Sequence, residues 1–323
     1  MTKARVGIVG GAGYTAGELL RLLAHHPYAE LAWVHSSSQA DRPVAEVHQD
    51  LIGETEQRFT SDLDWDIDAL FLCSGHGASA KFLEQHEVPA RVRIVDLSQD
   101  FRAEDPAHPF VYGLPELQRE RIKTATRVAN PGCFATAIQL GLLPLAQAHR
   151  LNNDVHVHAI TGSTGAGQQP TETTHFSWRS SNVSVYKPFR HQHLREINQS
   201  IRQLQPDFAS TINFVPVRGN FSRGIFASQY LKTTLTTEEA RNLYSQFYQD
   251  APFVTVTTTN PHLKQVVNTN KAIVFVEVVD NNLLTISIID NLIKGASGQA
   301  IQNFNLMMGW EETAGLRLKA GYF

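Results

Sequence analysis

The sequence is poor in cysteine, in long apolar runs and in excess charge of either sign. Two cysteines, Cys73 and Cys133, among 323 residues are too few for the disulfide framework typical of an oxidising compartment. A net charge of -3 provides no basic footprint for nucleic acid or an anionic membrane surface. No apolar run reaches the length of a bilayer span, and the first residues lead into a strand without a signal-peptide core. These absences predict a cytoplasmic protein with neither a nucleic-acid nor a membrane partner.

Length and composition indicate a globular enzyme of two domains. The 323 residues exceed what one hydrophobic core usually holds, and 42% hydrophobic with 18% charged residues is ordinary for such an enzyme. Residues 1–149 alternate short apolar strands with helical patterns, which predicts an α/β fold with a Rossmann-type, doubly wound parallel sheet. Residues 150–296 show period-two strands and predict an α+β domain for substrate binding and oligomerisation. Segment 297–323 contains a helix that we expect to return to the first domain.

Local signals set the expected elements. Pro144 is predicted to end or kink the helix after Cys133, and Asp280-Asn281-Asn282 is predicted to form a hairpin turn. A Thr-x-Glu-Glu signal predicts a capped helix near residues 237–249. The predicted strands are 5–9, 31–35, 67–73, 93–98, 126–129, 155–160, 214–217, 225–231, 272–278 and 283–289.

A glycine-rich loop lies between the first predicted strand and the first predicted helix. Strand, glycine loop and helix form the context in which a dinucleotide pyrophosphate rests on helix N–H groups. The spacing is looser than G-x-G-x-x-G, so a tight packing turn remains an alternative. The residues concerned are Gly10, Gly11, Ala12, Gly13, Tyr14 and Thr15.

The end of the second predicted strand indicates which dinucleotide would bind. Ser36-Ser37-Ser38, with Arg42 just beyond, stand where an acidic residue would hold the ribose hydroxyl of NAD. Hydroxyls and a cation suit the 2′-phosphate of NADP instead, although serine clusters are often plain polar turns. Ser74, Gly75 and His76 follow another buried strand, at the sheet edge where ligands bind in open α/β folds.

Cys133 follows Asn130-Pro131-Gly132 and precedes an apolar helical run. A helix start favours the thiolate and offers N–H groups to a developing oxyanion, so Cys133 is a candidate nucleophile. The alternative is a small buried hydrophobe, which is what free cysteine often is.

His191-Gln192-His193 and Glu196 form the second candidate cluster. In a helix starting here, His193 and Glu196 would be i,i+3 neighbours, and the carboxylate would orient the imidazole for general acid–base work. One alternative is a metal site, but no further Cys or His cluster in the sequence supports it. The other is a set of solvated surface side chains. Thr161 to Gly167 is a small-residue loop suited to an anionic group or to a plain turn. Arg218 and Arg223 are candidate anion-binding forks, or simply solvated.

These features together resemble the N-acetyl-γ-glutamyl-phosphate reductases, the arginine-pathway branch of the aspartate-semialdehyde dehydrogenase-like reductases. The resemblance covers nearly the full chain, and its most specific part runs from Val128 to Ala137 and on through Gly141 to Pro144. Supporting segments are Gly10 to Leu19, Asp96 to Arg102, Tyr112 to Glu116, His191 to Glu196 and Asn291 to Ala300.

The resemblance implies NADPH as cofactor, Cys133 as nucleophile in a thioester mechanism, and His193 held by Glu196 as acid–base. His191 would share that role or bind phosphate, and the second domain would build a homodimer or homotetramer. We further predict that the cofactor contacts Gly165, Ala166, Asn291, Lys294 and Gly295. An acyl-phosphate substrate is predicted to contact Arg102, Asn130, Gln168, Arg218 and Arg223. No metal is expected.

Three positions depart from the resembled pattern, namely Gln192, Gln168 and Arg218. Arg218 adds a cation, and we hypothesise that it accepts a second carboxylate, as an N-succinyl substrate would carry. A cysteine nucleophile with a histidine acid–base could also act on an aspartyl phosphate or on a carrier-bound aminoadipyl phosphate. A catalytically silent NADP-binding sensor is the alternative from a different class.

Overall fold

The computed structural model describes residues 2–322, which divide into two compact units. The first contains residues 2–131 and 296–317, and the second contains residues 132–295 and 318–322. The sequence boundary expected near residue 149 therefore differs from the division at Pro131. The reason is that the helix beginning at Cys133 packs on strands of the second unit.

The first unit contains one seven-stranded sheet in which every pairing is parallel. The order β3-β2-β1-β4-β5-β7-β6 is that of a Rossmann-type sheet, so the predicted α/β class is confirmed. Sequence reasoning missed the two-residue strands, which are too short to show a period. The strands are β1 Ala4–Val9, β2 Ala29–His35, β3 Phe59–Thr60, β4 Ala69–Leu72, β5 Arg93–Asp96, β6 Val111–Tyr112 and β7 Arg127–Ala129.

Helices cover this sheet, and one comes from the end of the chain. The helices are α1 Tyr14–Ala24, α2 Val44–Val47, α3 Ala78–Gln85, α4 Pro115–Thr124 and α9 Gly298–Met308. The last of them packs against α4, α1 and β5, which confirms the expected return of the C-terminal helix. Across residues 2–322, no helix combines the length and apolarity that a membrane crossing requires.

The second unit contains a mixed seven-stranded sheet in the order β12-β13-β14-β11-β8-β10-β9. The predicted hairpin is confirmed, since Asp280 and Asn281 have φ of 48° and 59°, the left-handed pair that a tight hairpin turn needs. The strands are β8 Val155–Thr161, β9 Ser184–Val185, β10 Ile212–Arg218, β11 Ile225–Lys232, β12 Val254–Thr257, β13 Ala272–Val279 and β14 Asn282–Ile289.

Helices pack on one side of this mixed sheet and enclose the core of the second unit. The predicted cap is confirmed, because the Thr236 side chain accepts from the Glu239 N–H while Glu239 accepts from the Thr236 N–H. The helices are α5 Cys133–Gln147, α6 Phe176–Arg179, α7 His193–Leu204 and α8 Thr237–Phe247.

Helix α5 does not end at Pro144, contrary to expectation, but continues to Gln147. Proline has no N–H for the carbonyl of Leu140, four residues earlier. The hydroxyl of Tyr248 donates to that carbonyl at 2.5 Å, and the hydroxyl of Tyr244 donates to the carbonyl of Gly141. Tertiary hydrogen bonds thus replace the helical one, and the helix that carries Cys133 stays continuous.

Tyr248→Phe should therefore destabilise the protein by about 1–3 kcal/mol, because it leaves the buried Leu140 carbonyl without a donor. Urea unfolding measures the change. Tyr230→Phe is the control, since Tyr230 is exposed and should unfold as the wild type does. Equal stability of Tyr248→Phe and wild type would contradict this role.

Candidate active site

Cys133 is the first residue of α5 and lies four residues beyond the end of β7. Its side chain is partly exposed and packs beside the core of the second unit. Gly132 precedes the helix in an extended conformation, and its carbonyl accepts from Thr136 at 2.8 Å. The backbone N–H groups in the first turn of a helix have no acceptor within the helix, and the N-terminal end of the helix dipole is positive. The start of α5 therefore suits a thiolate at Cys133 and an oxyanion beside it.

Glu196 ties the start of α5 to α7. Its carboxylate is buried, and Oε2 accepts from the backbone N–H of Gly132 at 2.9 Å, directly before Cys133. Oε1 lies 3.9 Å from Nε2 of His193, one turn earlier on the same helix. A single carboxylate therefore orients both the cysteine loop and an imidazole.

His191 plays a different part from His193. Its Nδ1 accepts from the backbone N–H of His193 at 3.2 Å, so its proton resides on Nε2 and the ring caps α7. Burial, and then the charge of Lys187, lower the pKa of His191 to about 4. This shift favours the neutral form of His191 at pH 7. Its predicted share in acid–base chemistry or phosphate binding stays a prediction.

Aromatic rings surround the two imidazoles. The ring of Phe134 meets that of His191 at 5.5 Å and that of His193 at 6.5 Å, both edge to face. Tyr186 lies 5.8 Å from His191 on its other side. Burial, and then the charge of Cys133, raise the pKa of Tyr186, so its phenol stays protonated. Edge-to-face contacts of this kind fix ring orientation.

Gly295 lies directly against Cys133. A Cβ at Gly295 would come within 2.9 Å of the Cβ of Cys133, a distance that real Cβ atoms do not adopt. A π-helical turn at residues 293–297 sets this approach, with the Gly295 N–H donating to the Asp290 carbonyl at 2.9 Å. Lys294, before it, is completely buried. The predicted cofactor residues Lys294 and Gly295 thus form part of the packing around the thiol.

Asp290 organises the segment that leads to this turn. Its buried carboxylate accepts from Leu292 and Ile293 and forms a two-bond fork with Arg223 at 3.1 and 3.2 Å. Asn291 accepts from the Gly224 N–H and donates to Thr164 beside the small-residue loop. Both Arg223 and Asn291 therefore hold the protein together, and their contacts with substrate and cofactor stay predictions.

Arg102 and Asn130 brace the carboxyl ends of two parallel strands. Arg102 is buried and donates to the carbonyls of Asn130 and Leu97 at 2.8 and 2.9 Å. The Asn130 amide donates to the Ala296 carbonyl and accepts from Asn303. The predicted contacts of Arg102 and Asn130 with substrate stay predictions. The hydrogen bonds show that these two side chains fix the backbone at the end of β7, directly after Ala129.

The glycine loop of the first unit fits a dinucleotide. Gly10 has φ of 80°, and a Cβ there would lie 2.7 Å from the backbone N of Ser74. Gly11 is packed against Val34, whereas a Cβ at Gly13 would meet only open space and one carbonyl at 4.0 Å. Gly13 is the N-cap of α1 with no side-chain cap, so the first-turn N–H groups suit a pyrophosphate. Ala12, Tyr14 and Thr15 complete this turn.

Polar side chains without a carboxylate follow the end of β2. Ser36 is buried with its hydroxyl 3.5 Å from that of Ser38, and Ser37 is exposed. Arg42 is exposed and donates to Gln39 and Glu46. Such surface pairs contribute little, so Arg42 is available to a phosphate.

The loop after β4 lies beside the glycine loop. The hydroxyl of Ser74 would be 2.8 Å from a Cβ at Gly10, and Gly75 is exposed with open space around it. His76 accepts from the Gln99 N–H at 3.3 Å. These predicted cofactor residues thus share the carboxyl edge of the parallel sheet with Gly10.

Sequence reasoning missed a cationic cluster in the second unit. Arg179 is buried and donates to the Arg218 carbonyl, while the Arg218 guanidinium lies 4.6 Å from the centre of the Tyr186 ring. The segment around Arg179 and Tyr186 has no periodic pattern, so only the pairing of β9 with β10 brings the cluster together. Gln168 is exposed, as is Gly165, while Ala166 is half-buried.

Residues 2–322 contain no group of three His, Cys, Asp or Glu side chains placed to hold a metal ion.

Comparison with known proteins identifies the class. Residues 5–125 match the NAD-binding domain of semialdehyde dehydrogenases, and residues 133–291 match their dimerisation domain. Aspartate semialdehyde dehydrogenase II of Vibrio cholerae superimposes with a TM-score of 0.73 at 17% identity, covering 96% of this chain and 99% of that one. The Candida albicans enzyme with NADP gives a TM-score of 0.72 at 12% identity, covering 95% and 99%. The fold and the two matched domains define a protein of the semialdehyde dehydrogenase class.

Sequence relatives are more specific. The N-acetyl-gamma-glutamyl-phosphate reductase of Parabacteroides distasonis is 59% identical, covering 99% of each chain. That of Christiangramia forsetii is 57% identical, covering 98% of this chain and 99% of its own. The chain belongs to the N-acetyl-γ-glutamyl-phosphate reductase family.

The lowered pKa of His191 predicts a pH dependence of stability. Between pH 6.5 and about 4, His191 binds a proton in the unfolded chain but stays neutral in the folded protein. The free energy of unfolding therefore decreases as the pH falls through this window. His191→Asn keeps a side-chain acceptor for the His193 N–H and removes this titration. Its loss of stability over the window should be smaller than that of wild type by on the order of 2 kcal/mol.

Urea unfolding at stepped pH measures this difference. His158→Asn is the matched control, because His158 is exposed on β8. Parallel pH curves for wild type and His191→Asn would show that His191 titrates normally and is not held neutral.

Proposed function

We propose that the chain catalyses the NADPH-dependent reduction of N-acetyl-γ-glutamyl phosphate to N-acetylglutamate 5-semialdehyde and phosphate. The family membership supports the substrate class. The observation that carries the chemistry is the Glu196 carboxylate, which holds the Gly132 N–H beside Cys133 and faces His193. A thiol, an imidazole and an orienting carboxylate are the parts of a nucleophilic acyl transfer.

In the first half of the reaction, His193 takes the proton of Cys133 and the sulfur attacks the acyl carbon. The carbon–oxygen bond to phosphate breaks, phosphate leaves with its electron pair, and a thioester remains on Cys133. The first-turn N–H groups of α5 would stabilise the oxyanion that forms at the acyl oxygen. Glu196 stabilises the imidazolium of His193 during this step.

When bound, NADPH would supply a hydride to the thioester carbon, and the glycine loop with the first-turn N–H groups of α1 would hold its pyrophosphate. The carbon–sulfur bond then breaks, the aldehyde leaves, and the proton on His193 returns to sulfur. We assign His191 to holding the start of α7, because its Nδ1 accepts from the backbone N–H of His193.

We also propose NADP rather than NAD as the cofactor, a homo-oligomer formed through the second unit, and a cytoplasmic location. The support is the serine-rich end of β2 without a carboxylate, the match to a dimerisation domain, and the scarcity of cysteine.

The reverse reaction tests the proposal, because acyl phosphates are labile. Purified protein with NADP⁺, phosphate and N-acetylglutamate semialdehyde should form NADPH, followed by its absorbance. Cys133→Ser should lose at least about 10³-fold in kcat, and His193→Asn about 10²-fold or more.

Two outcomes would contradict the proposal. One is NADPH formation that does not depend on phosphate, and the other is full activity of Cys133→Ser. Protein that binds NADP⁺ but turns over no semialdehyde would favour the silent sensor. Cys73→Ser is the matched control, since Cys73 lies in the other unit.

A further inference from the structure

Two arginines of the second unit, Arg179 and Arg218, stand next to the site without an acidic partner. We propose that Arg218, supported by Arg179, binds a carboxylate at the far end of the substrate's N-acyl group. The preferred substrate would then carry a dicarboxylic acyl group such as N-succinyl, rather than N-acetyl. This inference rests on the proposed reaction, the NADPH-dependent reduction of an N-acylglutamyl phosphate, and changes only the N-acyl group of its substrate.

Arg218 has an unsatisfied hydrogen-bond donor. Its Nε is buried and has no hydrogen-bond partner, and among residues 2–322 it forms no ion pair. Its guanidinium stacks on the Tyr186 ring at 4.6 Å, which fixes the plane of the fork. Guanidinium forks bind carboxylates with two parallel bonds, and a buried donor without an acceptor is costly. A bound carboxylate would satisfy both requirements.

Arg179 adds charge without cancelling it. It is buried, and its hydrogen bonds go to the carbonyls of Thr173, Asn182 and Arg218 and to the hydroxyl of Ser184. None of these acceptors is an anion. Burial, and then the charge of Arg218, lower the pKa of Arg179. The pair is thus a positive site that the described protein leaves uncompensated.

Tyr186 connects this cationic site to the reacting sulfur. It packs on the same core as Cys133 and its ring touches that of His191 at 5.8 Å. The charges of both Cys133 and Arg218 act on its phenol. Tyr186 therefore contacts both the Arg218 guanidinium and the His191 imidazole.

The chemistry of the two acyl groups favours a dicarboxylic one at this cationic site. An N-acetyl group ends in a methyl that has no use for a buried cation. Both substrates share the α-carboxylate, so only the second carboxylate distinguishes them.

The experiment compares N-acetyl- and N-succinylglutamate semialdehyde in the phosphate-dependent reverse assay. Wild type should have the higher kcat/KM for the N-succinyl compound. Arg218→Gln should lower that value about 10- to 100-fold, the loss expected for a charge-assisted hydrogen bond, and leave the N-acetyl value within about twofold. Arg202→Gln, an equal charge change on the exposed face of α7, is the control.

The other outcomes each decide the matter. Equal losses for both semialdehydes would overturn the inference, because Arg218 would then bind the shared α-carboxylate or merely support the fold. A raised KM for phosphate with an unchanged semialdehyde preference would assign Arg218 to phosphate instead. Turnover of the N-acetyl compound with the higher kcat/KM in wild type would overturn the inference alone. No turnover of either compound would overturn the proposed function as well.

A second measurement needs no variant. N-succinamoylglutamate semialdehyde has the size of the N-succinyl compound, but an amide replaces its outer carboxylate. Wild type should use it at least about 10-fold less efficiently than the N-succinyl compound. Equal efficiency would show that shape rather than charge is recognised, and would overturn the inference.

Discussion

The Glu196 carboxylate forms the interaction on which the rest of the site depends. It is buried, yet it accepts from the Gly132 N–H on one side and faces His193 on the other. The start of the cysteine helix and the start of the histidine helix are thereby held at a fixed distance, which no local propensity of either segment would set. Precise placement of a nucleophile and its base is what converts two ordinary side chains into a reactive pair.

Packing around the Cys133 thiol also holds the site in place. Helix α5 remains continuous past Pro144 because Tyr244 and Tyr248 donate to the carbonyls at the proline. On another side, Asp290 gathers backbone donors and the Arg223 fork, and the turn that follows brings Gly295 against Cys133. These hydrogen bonds hold α5 and the turn at Gly295 in place beside the sulfur.

Much of this architecture was predictable because it rests on short-range patterns. The glycine loop, the Asp280-Asn281 turn and the Thr236 cap each follow from the chemistry of a few adjacent residues. The site's supporting contacts were not predictable in this way. Asp290 with Arg223 and Arg179 with Arg218 are far apart in the chain, and only strand pairing brings them together. The continuity of α5 past Pro144 depends likewise on Tyr244 of α8 and Tyr248 directly after it, about a hundred residues away in the chain.

The central claim is that Glu196 positions the site through both its charge and its acceptor. Alkylation of Cys133 and kcat, each followed against pH, test it in Glu196→Gln and Glu196→Ala, with Glu238→Gln on the exposed side of α8 as control. The glutamine variant, which keeps an oxygen for the Gly132 N–H, should lose about 10-fold or more in kcat with KM little changed and a displaced pH profile. The alanine variant should lose more and unfold more easily. If both Glu196 variants had the same kcat and the same pH profiles as the wild type, the account would be contradicted.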